Sequence, residues 1–312
     1  MDAPDQPHVE IFAPFNEAFE LTKKILFAPF DLKKWFVIGF AAWLATFFSG
    51  GGGNYRSWNS EKWNWKSHEG LPSMHDVPPW VIPLMIGGGF FVLVLVVVLL
   101  WVNSRGRFMF TDCIVRNRGA IADPWREYRS EGNRYFVFQL VVALCAMIVF
   151  GLIALIFVMG EHSGFSVLPL TFLILVGVTC LLIAILVQLV MRFMVPVMYR
   201  QRCDAMSALH QVWALVTANP GIFLLFFLFY VVIAIAGAMI GCLAACVTCC
   251  VAAIPYVGTV ILLPVVTCLF AYPLCFLRQF GDPYDVWAVL PSVEPPPAGP
   301  PAPPVQEPPP TV

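Results

Sequence analysis

The sequence predicts an all-α membrane protein: about six transmembrane helices, joined on one side by amphipathic helices that lie in the membrane plane. Three observations predict it. The 312 residues are 59% hydrophobic and only 12% charged, with a mean hydropathy of +0.79. Soluble domains carry about 25% charged residues because their surface meets water, so most of this surface meets lipid. Six separate apolar runs are long enough to cross about 30 Å of hydrocarbon at roughly 1.5 Å per residue. Finally, the basic residues sort to alternate gaps between those runs, as retention of Lys and Arg on the cytoplasmic side requires.

Residues 1–13 are expected to be a flexible N-terminus and 14–290 the membrane domain. The first apolar run starts near Trp35, behind acids at Asp2, Asp5, Glu10, Glu17 and Glu20. A signal peptide needs a short basic start followed at once by an apolar core, so the first span is expected to stay in the protein. Before it, 15–30 place Phe15, Ala18, Phe19, Leu21, Thr22, Ile25 and Leu26 near one helical face, with Glu17, Glu20, Lys23 and Lys24 largely off it. That is the pattern of a helix lying in the interface. Spans are expected at 35–53 (the shortest and weakest), 80–102, 135–159, 167–191, 221–246 and 254–277. Runs such as 90–101 do not alternate, so they are helices and not barrel strands. Between the fourth and fifth spans, 203–218 repeats the in-plane pattern with Met206, Leu209, Val212, Trp213 and Val216.

All of the 18 basic residues except Arg56, Lys62 and Lys66 then fall on one side, which places both termini in the cytoplasm. Arg107-Phe108-Met109-Phe110 is echoed by Arg192-Phe193-Met194-Val195. We read three weak repeats of an in-plane helix plus a hairpin, starting near residues 14, 108 and 196, although span ends in any membrane protein can echo one another. From Pro291 onward half of the residues are proline. The segment 291–312 is expected to be a disordered, polyproline-like tail, a spacer first and a protein-docking segment second.

Spans two to six contain no Asp, Glu, Lys, Arg or His between their ends. Intramembrane charges mark proton relays, ion paths and voltage sensors, so a pump or proton-coupled transporter is disfavoured. The polar residues there, Gln139, Thr171, Thr179, Gln188, Thr248, Thr259 and Thr267, suit interhelical hydrogen bonds of about 0.6 kcal/mol each. No HExxH, GxSxG, Walker loop or paired Cys-x-x-Cys set occurs. No enzyme activity, cofactor or nucleic-acid partner is expected.

Other candidates have a bland reading beside them. His68-Glu69, His75-Asp76 and Glu161-His162 fall in outer loops and could hold a divalent metal, but their spacing matches no ligand pattern and solvated loop residues explain them. Cys242, Cys246 and Cys249 share a helix face, with Cys250 beside them. Gly237, Ala238, Gly241, Ala244 and Ala245 around them suggest a tight helix seam in preference to a thiol site. Gly50 to Gly53 read as a flexible exit from span one, and Gly87 to Gly89 as a close approach within the first hairpin. Pro255, Pro264 and Pro273 could break span six and expose carbonyls of the kind that bind substrate in transporters; simple kinks are the commoner outcome. Arg105, Arg107, Arg192 and Arg278 sit where spans meet the interface and are candidates for anionic lipid headgroups, at about 1 kcal/mol each. Trp58, Trp63 and Trp65 suggest that the first outer loop lies back on the interface.

The junctions also carry a likeness. Thr22-Lys23-Lys24-Ile25-Leu26-Phe27, Pro29-Phe30-Asp31-Leu32, Trp35 and the glycine run resemble the start of an uncharacterised bacterial family of six-span membrane proteins. So do Arg107-Phe108-Met109-Phe110-x-Asp112, Pro124-Trp125, Arg192-Phe193-x-x-Pro196-x-Met198-Tyr199 and Arg278-Gln279-Phe280-Gly281-x-x-Tyr284-Asp285-Val286. The likeness covers about residues 11–290. More distantly, the layout is similar to the membrane domain of some glycerophosphodiester phosphodiesterases, without their soluble domain and its metal-binding acids. The resemblance implies a bacterial cytoplasmic membrane and no assigned activity. The expected role is a non-enzymatic protein that organises lipid or protein partners, with a transporter or channel for a neutral or lipid-like solute as the alternative.

Overall fold

The apolar runs fold into helices that overshoot them, running on through Gly106 in one case and Pro196 in another. The computed structural model describes residues 10–47, 81–161, 168–248 and 254–288. Among these it is all-α, with ten α-helices and no strand. In order they are α1 (Phe12–Phe27), α2 (Leu32–Thr46), α3 (Val81–Val115), α4 (Ala122–Glu127) and α5 (Arg129–Glu161). Then come α6 (Leu168–Gln201), α7 (Ala205–Ala218), α8 (Pro220–Val247), α9 (Pro255–Ile261) and α10 (Leu263–Arg278), with a 3-10 turn at Asp282–Tyr284. His68, His75 and His162 lie outside the described residues, as do Cys249, Cys250, the glycines 50–53, Trp58, Trp63, Trp65 and the tail.

Four helices are long and apolar enough to cross a membrane, within Val81–Val115, Arg129–Ile153, Leu175–Gln201 and Pro220–Val247. The expected second span ended at residue 102, yet α3 runs on through Asn103-Ser104-Arg105-Gly106-Arg107 to Val115. The expected fourth ended at 191, yet α6 continues past Pro196 to Gln201. Consequently residue 108 starts no separate in-plane helix; the short helix ahead of α5 is α4. Burial follows the overshoots. Residues 103–114 of α3 and nearly all of 189–199 of α6 are buried, while 82–98, 137–155 and 175–186 on α3, α5 and α6 are largely exposed. Apolar surface left bare in this way is what lipid covers.

The helix α10 is the centre of the core, with Leu263, Ala271, Tyr272, Phe276 and Leu277 fully buried. The helix α1 packs along it in the opposite direction: Tyr272 Oη donates to Ile11 O at 3.4 Å, and Gln279 Nε2 donates to Glu10 O at 2.9 Å. Its buried face carries Ala18, Thr22, Ile25 and Leu26, as the periodicity requires, whereas Phe12, Phe19 and Phe27 point outward. On α7 the buried residues are Ala205, Ala208 and Val212, while Met206 and Trp213, expected on one apolar face with Val212, are exposed. Small residues let that helix approach closely; the bulky ones turn away.

The expected first and last spans differ most. The described part of the first is α2, whose 15 residues rise only about 22 Å. It pairs with the polar half of α3, since Asn103 Nδ2 donates to Leu44 O at 2.7 Å and Lys34 Nζ to Asn117 Oδ1 at 2.7 Å. The last span is broken at Leu262 into α9 and α10. Pro264 has no N–H for the carbonyl four residues back. That carbonyl, Val260 O, accepts the indole N–H of Trp35 at 3.1 Å instead. Pro255 opens α9 and Pro273 sits inside α10. Glycines 87–89 meet no atom within 4 Å, so among the described residues nothing makes the close approach expected there.

Candidate functional site

The polar groups of the overshoots form a connected layer beneath the exposed apolar halves. Arg105 and Arg107 are 6% and 7% exposed. Such burial costs too much unless hydrogen bonds compensate, and the neighbouring helices supply them. Arg105 donates through Nε and Nη2 to Asn133 Oδ1, at 3.2 and 2.9 Å, with its guanidinium 4.3 Å over the Trp101 ring and 5.2 Å from that of Trp125. Arg107 donates to Asn103 Oδ1 at 3.4 Å and to Tyr135 Oη at 3.2 Å, and Tyr135 in turn donates to Met191 O at 3.4 Å. With Asn103 bonded to α2, one chain of contacts joins α2, α3, α5 and α6. Ser104, also buried, donates to Gly132 O. Arg192 donates to Tyr230 Oη on α8, its guanidinium 4.4 Å over that ring.

Arg107 and Arg192, the two arginines of the echoed sequence, line one small cavity of about 30 Å³ with Thr111, Pro196, Leu269 and Pro273. Both prolines lack an N–H, so the carbonyls of Arg192 and Leu269 lose their usual helical donors here. The volume has room for about one or two waters.

A second cluster closes the polar end. Asp112, fully buried, accepts from Arg118 Nε at 3.0 Å and Tyr199 Oη at 3.0 Å, and forms an ion pair with Arg116 Nε at 3.1 Å. Glu127 accepts from Arg116 at 2.8 Å and from Arg202 at 2.6 Å, and Arg202 lies 3.9 Å over the Tyr128 ring, which stacks on Tyr199. Burial pushes the Glu127 carboxyl up, but the Arg116 hydrogen bond and the charges of Arg116 and Arg202 together outweigh it and hold the group below its ordinary value. Burial is also the main reason that the Tyr128 hydroxyl sits above its usual range. At the end of α10, Arg278 pairs with Glu17 of α1 and with Asp285 at 3.2 Å.

The sequence singled out the arginines but missed what they bond to. Asn103, Asn133, Tyr135, Tyr230 and Glu127 carried no signal of their own. Asp112 and Tyr199 did stand in junction motifs, and their mutual hydrogen bond gives those motifs a structural meaning. The cysteine seam needs correcting: Gly237 faces α10, where an added Cβ would stand 2.7 Å from Val265 Cγ1, but Cys242 and Cys246 are exposed. No group of three or more metal-ligating side chains is placed to hold an ion among the described residues.

Between α6 and α8 lies an open groove of about 460 Å³. Ala184, Ile185, Ala234, Ile235 and Ala238 form its apolar length, and Gln188, Arg192 and Tyr230 are its polar end. A smaller apolar groove of about 280 Å³ runs between α1, α8 and α10, with Lys23 on its edge.

No curated protein and no solved structure matches the chain. A family of unknown function, DUF7544, matches residues 10–286, from the segment that opens α1 to the residues that close the core behind α10. The chain belongs to the DUF7544 family.

Proposed function

We propose that the protein is a non-enzymatic, six-pass membrane protein that organises lipid or partner proteins around its uncovered helices. The observation that carries this reading is the division along α3, α5 and α6, apolar and bare in one half, polar and internally bonded in the other. A chain built this way anchors firmly and keeps its outer halves free to meet lipid or other helices. The four long helices supply four passes, with α2 and the α9–α10 pair supplying the first and last. Charge sorting then keeps both termini in the cytoplasm, and the resemblance at the junctions points to a bacterial cytoplasmic membrane. One helix stands ahead of two apolar passes at α1 (α2 and α3), α4 (α5 and α6) and α7 (α8 and the α9–α10 pair), an order that supports three repeats. Of the four interface arginines, Arg192, with no carboxylate partner among the described residues, is the one left to meet anionic headgroups, and the proline-rich tail is the segment for a protein partner.

A transporter would use the broken last pass. That reading is weakened because the carbonyl freed by Pro264 already holds the Trp35 indole. Liposomes loaded with small neutral solutes and carrying the purified protein test the choice. No flux above protein-free liposomes is expected. Solute movement that stops on Pro264→Ala would overturn the proposal.

A further inference from the structure

We infer that the α6–α8 groove is a binding site for one anionic phospholipid of the surrounding bilayer, its acyl chain along the groove and its phosphate on Arg192 and Tyr230. The groove is lined along its length by alanine and aliphatic side chains of two helices that stand apart. From Phe227 to Ala238 on α8 it spans about 16 Å at the helical rise, close to half of a hydrocarbon core about 30 Å thick. One leaflet's chain has that reach. The polar end is built for a negative charge. Arg192 gives one N–H to Tyr230 Oη and lays its face on that ring, and no carboxylate pairs with it among the described residues. A guanidinium carries five donors. Arg192 lines this groove, whose walls supply only Gln188 and Tyr230 as further polar groups. A cation at a lipid-facing opening draws an anion to it, and phosphate takes two guanidinium N–H groups in parallel. Tyr230 fixes the fork: its side chain is buried, so Arg192 is held in place before the lipid arrives, which lowers the ordering cost of binding.

The site rests on the reading that these helices stand in lipid, and the experiment separates the two. Full-length protein in detergent is titrated with phosphatidylglycerol, phosphatidylcholine or oleate and examined by native mass spectrometry. Phosphatidylglycerol is expected to give a single saturable adduct, about tenfold weakened by Arg192→Gln. Ala184→Phe, an exposed position that would fill the groove, is expected to weaken it similarly while leaving Arg192 intact. Arg134→Gln, whose side chain pairs with Asp204 at the surface, is the control and is expected to bind as the parent does. Unchanged binding in both groove variants overturns the site. So does equal binding of phosphatidylcholine, preference for oleate, or a change of oligomeric state on Ala184→Phe, which would mean that another copy covers the groove. If Arg192→Gln fails to fold, Ala184→Phe alone decides. Photo-crosslinking of lipid from Leu93 on α3 reports the underlying reading separately: lipid adducts there with unchanged groove variants remove only the site.

Discussion

Alanine at two glycines of the same helix should act in opposite directions. At Gly106 an added Cβ would stand 2.7 Å from Leu44 Cβ, 2.9 Å from Leu44 C and 3.0 Å from Ala45 N. Two of these are backbone atoms, so α2 has to move off α3. Overpacking of this kind costs about 1–3 kcal/mol. The shift also strains the bonds from Asn103 to Leu44 O and Ala45 O, each worth about 1 kcal/mol. Better helix propensity returns at most about 1 kcal/mol. The net effect of Gly106→Ala is a loss of about 2–3 kcal/mol, or roughly 3–5 °C in Tm for a chain of this size. At Gly88 nothing lies within 4 Å, so only the propensity gain remains and Gly88→Ala should be neutral or stabilising by up to about 1 kcal/mol. Thermal unfolding of both variants in the same detergent measures the contrast. Equal effects, or a benign Gly106→Ala, would refute the α2–α3 contact.

Trp35→Phe should destabilise by about 1 kcal/mol because the half-buried Val260 O loses its indole donor. Adding Pro264→Ala restores a backbone N–H to that carbonyl, so the pair should cost less than the sum of the single changes in a double-mutant cycle. Asp112→Asn removes the charge that Arg116 and Arg118 share and should lower stability by about 2–4 kcal/mol, read from the melting temperature. Glu127 is held below its ordinary value of 4.5 in the folded chain, so its contribution is complete above that pH and is lost as pH falls through the folded value. Glu127→Gln should therefore lower stability at neutral pH and flatten the decline below about pH 4.5 that the parent shows in pH-dependent unfolding.

Much of the framework was legible because it is written in local period. The buried face of α1 at Ala18, Thr22, Ile25 and Leu26 follows from spacing alone, and so do the positions of the four long helices. Where those helices end was not legible. Apolar content marks where lipid begins, but packing against α2 carries the helix on through Gly106 to Val115. The arginines were read as headgroup anchors because a charge beside an apolar run resembles an interface marker. Arg105 and Arg107 instead turn inward, onto Asn133 and Tyr135. Such partners sit on other helices, and sequence spacing gives no hint of them. Trp35 and Val260 are 225 positions apart, and Asp112 and Tyr199 are 87 apart. The break at Pro264 could be foreseen from one residue; the indole that satisfies it could not. For the groove, Gln188 was noted as a mild polar residue, but its place beside Arg192 and Tyr230 needs the helices assembled.

The most direct test is lipid contact along the long helices. A photo-crosslinking amino acid placed at Leu93, Phe150 or Leu182 in membranes should yield lipid adducts, because these side chains are 58%, 58% and 61% exposed on apolar halves. The same probe at Arg126 or His210, exposed positions beside the polar layer, should yield none from the acyl region. Acyl adducts from Arg126 and His210, with none from the three apolar positions, would contradict the account.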